Sequence, residues 1–189
     1  LVMGIGDVEC DRYPIQASQF ESDIRIAEQL DKMYFEFGGG GNNYESYTSA
    51  WYFGLNNTSL DCWKRNKKGI IITMGDERLN PVLSIHKNYQ GSSLNEALGC
   101  SEQSGVETKD LYPKVCEKFD VYHIDVNHRS CRYDASGIDK SWEMLGDNYK
   151  KCNLNDISDT IVEIILSAVD GNSSNVTSTQ TNENGEIVW

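Results

Sequence analysis

Three stretches of the chain place oxygen-bearing side chains directly after apolar or glycine-rich backbone, and their types limit the chemistry available. Asp7 follows the apolar run "LVMGIG", Asn42, Asn43, Glu45 and Ser46 follow four consecutive glycines from Gly38 to Gly41, and Asp76 and Glu77 follow "GIIITMG". Asp125 and Asn127, at the end of "FDVYHIDVN", are a fourth and weaker contributor. Carboxylates, amides and a hydroxyl are hard donors, and no His, Cys or Ser stands beside them in a nucleophile context. Such a set suits Mg²⁺, Ca²⁺ or Mn²⁺ better than zinc or acyl transfer. Asp76 would bind the ion directly or through water, with Asn42, Asn43, Glu45 or Ser46 supplying a second side. Each residue also has a plain structural role open to it: Asp76 as a helix cap, Glu45 as the back half of a capping box, the glycines as a turn.

Other motifs lead away from catalysis. The glycine run lacks the Lys and hydroxyl of a phosphate loop, Asn42 and Asn43 standing in their place, and it follows a helical pattern where a dinucleotide loop would follow a strand. His86, His123 and His128 do not cluster by spacing, and His123, between Tyr122 and Ile124 inside a strand pattern, reads as packed. Ser136 in "DASGIDKSW" has neither a G-x-S-x-G elbow nor a paired His, so that segment reads as a loop and helix cap.

The elements that must position these residues follow from periodicity. "LVMGIGD" reads as a buried strand breaking at Gly6-Asp7. Over residues 18–37, Ser18 and Glu21 form a capping box and Phe20, Ile24, Ala27, Leu30, Tyr34 and Phe37 recur every three or four residues, which predicts a helix. A second helix is expected from about Asn42 to Thr58, burying Tyr47, Ala50, Trp51 and Leu55. "KKGIIITMGDE" has the β-branched run of a central parallel strand. From Leu79 to Glu117 a crossover helical in pieces is expected, with Pro81 in a first turn, a capping box at Ser93 and Glu96, and a short helix in "LYPKVCEKF". "FDVYHIDVNH" is a third strand, "SWEMLG" a short helix closed by Gly146, and "ISDTIVEIILSAVDG" a last helix capped by Asn155 or Asp156, with Ile157, Ile161, Ile164, Ile165 and Ala168 on one side. Strands separated by helices predict an α/β class: a doubly wound, Rossmann-like, mostly parallel sheet with helices on both faces, three layers in all. Three strands make a thin sheet, so further strands are expected upstream of Leu1. The polar stretch after Gly171 is expected to be a disordered tail, leaving residues 1–170 as one domain.

Composition narrows the partners. With 17 Lys and Arg against 29 Asp and Glu the formal charge is -12, which repels phosphate backbones and anionic headgroups, so neither nucleic acid nor a membrane surface is expected. No apolar run approaches the roughly 20 residues of a membrane span. Cys10, Cys62, Cys100, Cys116, Cys131 and Cys152 are scattered without zinc spacing and read as reduced thiols in a cytoplasmic setting. Asn56, Asn57, Asn172 and Asn175 begin sequons, triplets that an Asn- and Ser-rich chain also produces by chance.

With "MGIGD", "ESDIRIAEQL", "GGGGNNYESYTSAWYF", "GIIITMGDE" and "FDVYHIDV" in this order, residues 1–170 resemble the later part of a von Willebrand factor A domain of a bacterial or phage type. The resemblance implies a divalent ion at the top of the sheet, built from D-x-S-x-S after the first strand, a Thr in a later loop and an Asp after the fourth strand. It implies that Asp76 takes the last role, three residues beyond Thr73, and that the glycine loop takes the Thr role, with Asn42 to Ser46 replacing the hydroxyl. D-x-S-x-S is absent before residue 7, and "DASGI" at Asp134 mimics it after the wrong strand, so the first strand is expected in sequence preceding Leu1. The expected metal residues are then Asp76, Asn42, Glu45, Ser46 and Asp7, and the partner loops are carried by Gly40, Gly41, Asn43 and Glu77. The implied function is a non-enzymatic interaction module in which a partner protein's carboxylate completes the shell of a Mg²⁺. Two alternatives stand beside it: a structural or virion-associated domain without an ion, and a metal-assisted hydrolase using Asp7, Asp76 and Glu77, for which only Arg12 and Arg78 are at hand as cations.

Overall fold

A computed structural model of the chain describes residues 1–36, 42–126 and 134–173. It opens with a hairpin in which β1 (Met3–Ile5) pairs antiparallel with β2 (Ile15–Ala17), Met3 opposite Ala17. The first apolar run, expected as a buried strand of the parallel sheet, is thus half of an antiparallel hairpin and only half-buried. Gly6 donates to the Pro14 carbonyl at 2.8 Å, and the Asp7 amide donates to Asp11 Oδ2 at 2.7 Å, closing the turn that carries the acidic residues.

The helix expected over 18–37 is present only as α1 (Arg25–Leu30), none of whose residues is buried. Side chains compete for its backbone. Ser18 Oγ accepts from the Val2 amide at 2.9 Å instead of capping a helix, and Asp23 Oδ1 accepts from the Arg25 amide at 3.0 Å. The apolar stripe also lacks cover, with Phe20 57%, Ile24 76% and Tyr34 60% exposed. A helix depends on packing of that stripe for most of its stability, so the run frays to its middle.

Next come β3 (Tyr44–Glu45) and α2 (Thr48–Asn57). Here too the expected start near Asn42 is corrected, because Asn42 Oδ1 accepts from the Tyr44 amide at 3.2 Å and Asn43 sits at φ 59, a left-handed turn incompatible with a helix. The cap of α2 comes from a distant residue: the Thr48 amide donates to Asn80 Oδ1 at 3.2 Å while Asn80 Nδ2 donates to Thr48 Oγ1 at 2.6 Å. As expected, Tyr47, Ala50 and Trp51 are buried.

The remaining strands and α-helices are β4 (Gly69–Gly75), β5 (Arg78–Leu79), β6 (Val82–Leu83), α3 (Leu94–Leu98), β7 (Val106–Glu107), α4 (Thr108–Cys116), β8 (Phe119–Val126), α5 (Ala135–Ser141), β9 (Tyr149–Cys152) and α6 (Ile157–Ser173), with 3-10 turns at Asp61–Arg65, Glu143–Asn148 and Leu154–Asp156. Ser93 caps α3 through the Glu96 amide, as its spacing predicts. Pro81, expected in a first helical turn, instead joins β5 to β6, its carbonyl accepting from the Thr108 amide at 2.9 Å. From residue 174 onward, the tail expected after Gly171 lies outside the described residues.

The largest sheet has the order β4-β8-β9 and is parallel throughout, Gly69 opposite Phe119 and His123 opposite Tyr149. Among the described residues β8 is therefore its centre, and β4, expected to be central, is an edge. β3 and β5 form a second parallel pair, and β6 and β7 an antiparallel one. The chain is thus mixed α/β with parallel strands in small sheets. Along β8 the side chains alternate between two apolar clusters, as period two requires. Phe119 and Val121 join α2, α4 and Trp142, whereas Ile124 and Val126 join Ile164 of α6. Among the described residues no helix is long and apolar enough to cross a membrane.

Ile124 is fully buried against α6 while Ile165 is 41% exposed. In urea unfolding, Ile124→Ala should cost about 2–5 kcal/mol and Ile165→Ala less than about 1; equal losses would contradict the packing of α6 on β8.

Candidate functional site

Parallel pairing sends the carboxyl ends of strands to one rim, and the residues after β4, Asp76 and Glu77, are acidic. β3 pairs with β5 so that Tyr44 lies opposite Arg78 and Glu45 opposite Leu79, which sets the segment after the glycine run beside Asp76 and Glu77. Gly75 completes the fit: a Cβ there would collide with the Tyr47 hydroxyl, and that hydroxyl in turn accepts from the Glu77 amide at 3.4 Å.

Asp7 joins the hairpin to this segment. It is 4% exposed, its Oδ2 accepts from Asn42 Nδ2 at 2.6 Å, and its Oδ1 accepts from the Glu9 amide at 2.9 Å and from Ser46 Oγ at 3.3 Å. Asn42 Nδ2 donates as well to Glu9 Oε2 at 3.0 Å, and Ser46 Oγ accepts from the Val8 amide at 3.0 Å. Three of the residues expected from sequence, Asp7, Asn42 and Ser46, are thus in direct contact.

Glu45 is where the electrostatics concentrate. Burial pushes its carboxyl up from 4.5 to about 8, and the carboxylates of Asp7, Asp11, Glu77 and Asp76 push in the same direction. Asp11 is itself raised, by burial first and by Glu36 and Asp7 after that. Glu45 therefore senses Asp76, Glu77 and Asp7 together, although among the described residues no three His, Cys, Asp or Glu side chains form a group able to hold a metal ion. The donors fit a hard cation by chemistry and by charge; the Asp7 oxygens, however, already accept protein hydrogen bonds. Asn43 is exposed at its left-handed turn, while Gly40, Gly41 and Asn127 lie outside the described residues.

Asp125 stands apart from this cluster's hydrogen bonds. It is 2% exposed, and the Tyr149 hydroxyl lies 2.9 Å from its Oδ2 and 2.9 Å from Asp139 Oδ1. Burial and then these two carboxylates raise the Tyr149 hydroxyl well above its ordinary value. His123 is packed, as its position inside the strand predicts: it stacks on Trp142 with centroids 3.5 Å apart at 8°, and its Nδ1 lies 2.9 Å from Thr73 Oγ1. Asp134 caps α5 through the Gly137 amide at 3.3 Å and forms an ion pair with Arg78.

Asp11, Glu9 and Tyr47 were missed from sequence as members of the rim. The acidic spacing "DVECD" could have revealed the first two, because a turn after a strand brings its ends together; Tyr47 carries no signal that separates it from core. Compared with protein-family models, curated proteins and solved structures, the chain matches none.

A carboxyl that is harder to ionise in the folded chain than in the unfolded one leaves the folded state holding the extra proton, so stability falls as pH rises from about 4.5 to about 8 and then levels. Glu45→Gln removes this dependence. The variant's melting temperature should match the parent near pH 4.5 and exceed it increasingly up to pH 8; a constant difference across that window would refute the assignment.

Proposed function

We propose that the chain is a non-enzymatic protein-interaction module of the von Willebrand factor A type, its strands and helices belonging to a doubly wound, three-layer sheet, with a Mg²⁺ taken up at the acidic rim. The observation that carries this reading is the placement of Glu45 among Asp7, Asp11, Asp76 and Glu77: burial first, and these carboxylates after it, raise the Glu45 carboxyl to about 8. A site that holds a carboxyl proton so firmly is a site short of positive charge, and a divalent cation supplies that charge without a proton. Glu45 and Asp76 would hold the ion, with Ca²⁺ or Mn²⁺ as substitutes. Asp7, through Asn42 and Ser46, fixes the segment that carries Glu45. When bound, the ion offers a coordination position that a partner protein's carboxylate fills. The net charge of -12 directs the module toward protein rather than nucleic acid or membrane.

A second reading, a structural or virion-associated domain without an ion, draws on the same rim. The hydrogen bonds to Asp7 from Asn42, Ser46 and the Glu9 amide satisfy its oxygens without a metal. The hydrolase reading has less support, because Arg78 is paired with Asp134.

The two readings separate on one titration. Mg²⁺ at a hundred times its dissociation constant stabilises the folded chain by about 2.7 kcal/mol, read as a rise in melting temperature, and Asp76→Ala should abolish the rise. An unchanged melting temperature for the parent chain in millimolar Mg²⁺ would remove the ion and leave the metal-free reading.

A further inference from the structure

We propose that the groove between β1 and the outer edge of β4 receives an extended strand from a partner protein, apolar along its length and ending in a lysine or arginine at the acidic rim. A cavity of about 620 Å³ lies there, within the roughly 300–1,000 Å³ of ligand clefts. All six residues from Ile70 to Gly75 line it, together with Met3 and Ile5 of β1. Successive side chains of a strand point to opposite faces, so a cavity touched by every residue of a strand runs along its edge.

That edge is open. β4 pairs with β8 on one side, and among the described residues no strand pairs with it on the other. Alternate N–H and C=O groups of a seven-residue strand therefore face the groove, and in a cleft also lined by the apolar Ala50 and Phe53 the group that satisfies them in register is another backbone. A helix, about 10 Å across, presents no free backbone groups to such an edge. Strand addition is the recognition mode this geometry serves.

Charge fixes the partner's end. Glu45 lines the same cavity, with Asp7, Asp11, Asp76 and Glu77 close enough to act on it. Arg78, which follows Glu77, is held by Asp134, and Arg12, which follows Asp11, lies over the Tyr13 ring. β1 runs into Asp7 and β4 into Asp76, so both point their carboxyl ends at this rim. A strand lying parallel to both brings its own carboxyl end there, where a cationic side chain is attracted and an acidic one repelled. A second copy of this chain, at -12, brings the wrong sign.

The inference is independent of the ion and is tested without it. A random ten-residue peptide library is selected against the full chain in EDTA, and binders are measured by fluorescence anisotropy. Selected peptides should alternate β-branched or aromatic residues with others and carry Lys or Arg in their last two positions. Met74→Arg, at a groove position 49% exposed and so tolerant of substitution, should weaken all of them about tenfold or more. At pH 9, where the Glu45 carboxyl and the peptide lysine are both charged, Glu45→Gln should weaken the Lys-ended peptides about tenfold while leaving their Lys→Ala versions unchanged. Circular dichroism of both variants confirms that they fold. No enrichment, enrichment at helical spacing, binding indifferent to both substitutions, or a groove filled by a second copy or by another segment of the same polypeptide would each overturn the proposal.

Discussion

Parallel pairing about β8 is the constraint from which the rest of the molecule follows. With β4 on one side and β9 on the other, all running the same way, the carboxyl ends of the strands meet one rim, and whatever residues follow them are forced into company. The smaller β3–β5 pair adds Glu45 to the same place. Burial first, and then Asp7 and Asp11 from the hairpin turn with Glu77 and Asp76 after β4, raise the carboxyl of Glu45. The crowding costs stability, and the chain offsets part of that cost by giving Asp7 three hydrogen-bond donors.

Not every polar group near the strand ends is in the same condition. Asp125 is clasped by Tyr149, and Asp134 by Arg78 and the first turn of α5, so both are absorbed into the architecture. The stack of buried His123 and Trp142 with half-buried Tyr149 spans β8, β9 and the turn between α5 and β9, locking the face of the sheet opposite α6. Glu45 is different. Its burial is not matched by any cation that acts on it among the causes of its shift, and that asymmetry separates a candidate site from structural polarity.

Legibility in the sequence tracked how local the governing interaction is. β4, β8, α4 and α6 are long or strongly patterned and were readable, as were the Ser93 cap and the packing of His123. The segment at 18–37 was misread because its spacing is helical but its apolar face has nothing to rest on, a tertiary fact that no window of sequence contains. The start of α2 was misread because Asn80, 32 residues away, supplies the cap. β9 escaped notice because "YKKC" lacks alternation, which an edge strand guarded by lysines does not need. At the rim, Asn42 and Ser46 meet Asp7 through hydrogen bonds and Glu45 lies near Asp76, but Asp7 arrives from an antiparallel hairpin and not from the end of a parallel strand, and these contacts depend on rotamers that spacing does not encode.

The uncovered stripe of Phe20, Ile24, Leu30, Tyr34 and Phe35 governs how the molecules behave in a crowd. Sticky side chains of this number draw copies together at short range, while the strong like charge of each copy holds them apart at longer range. Dissolved electrolyte weakens only the second effect, since it shrinks the reach of the charge to about 8 Å at 0.15 M and about 3 Å at 1 M. Colloidal dispersal of the protein is thus a balance set by the ionic medium rather than by its fold.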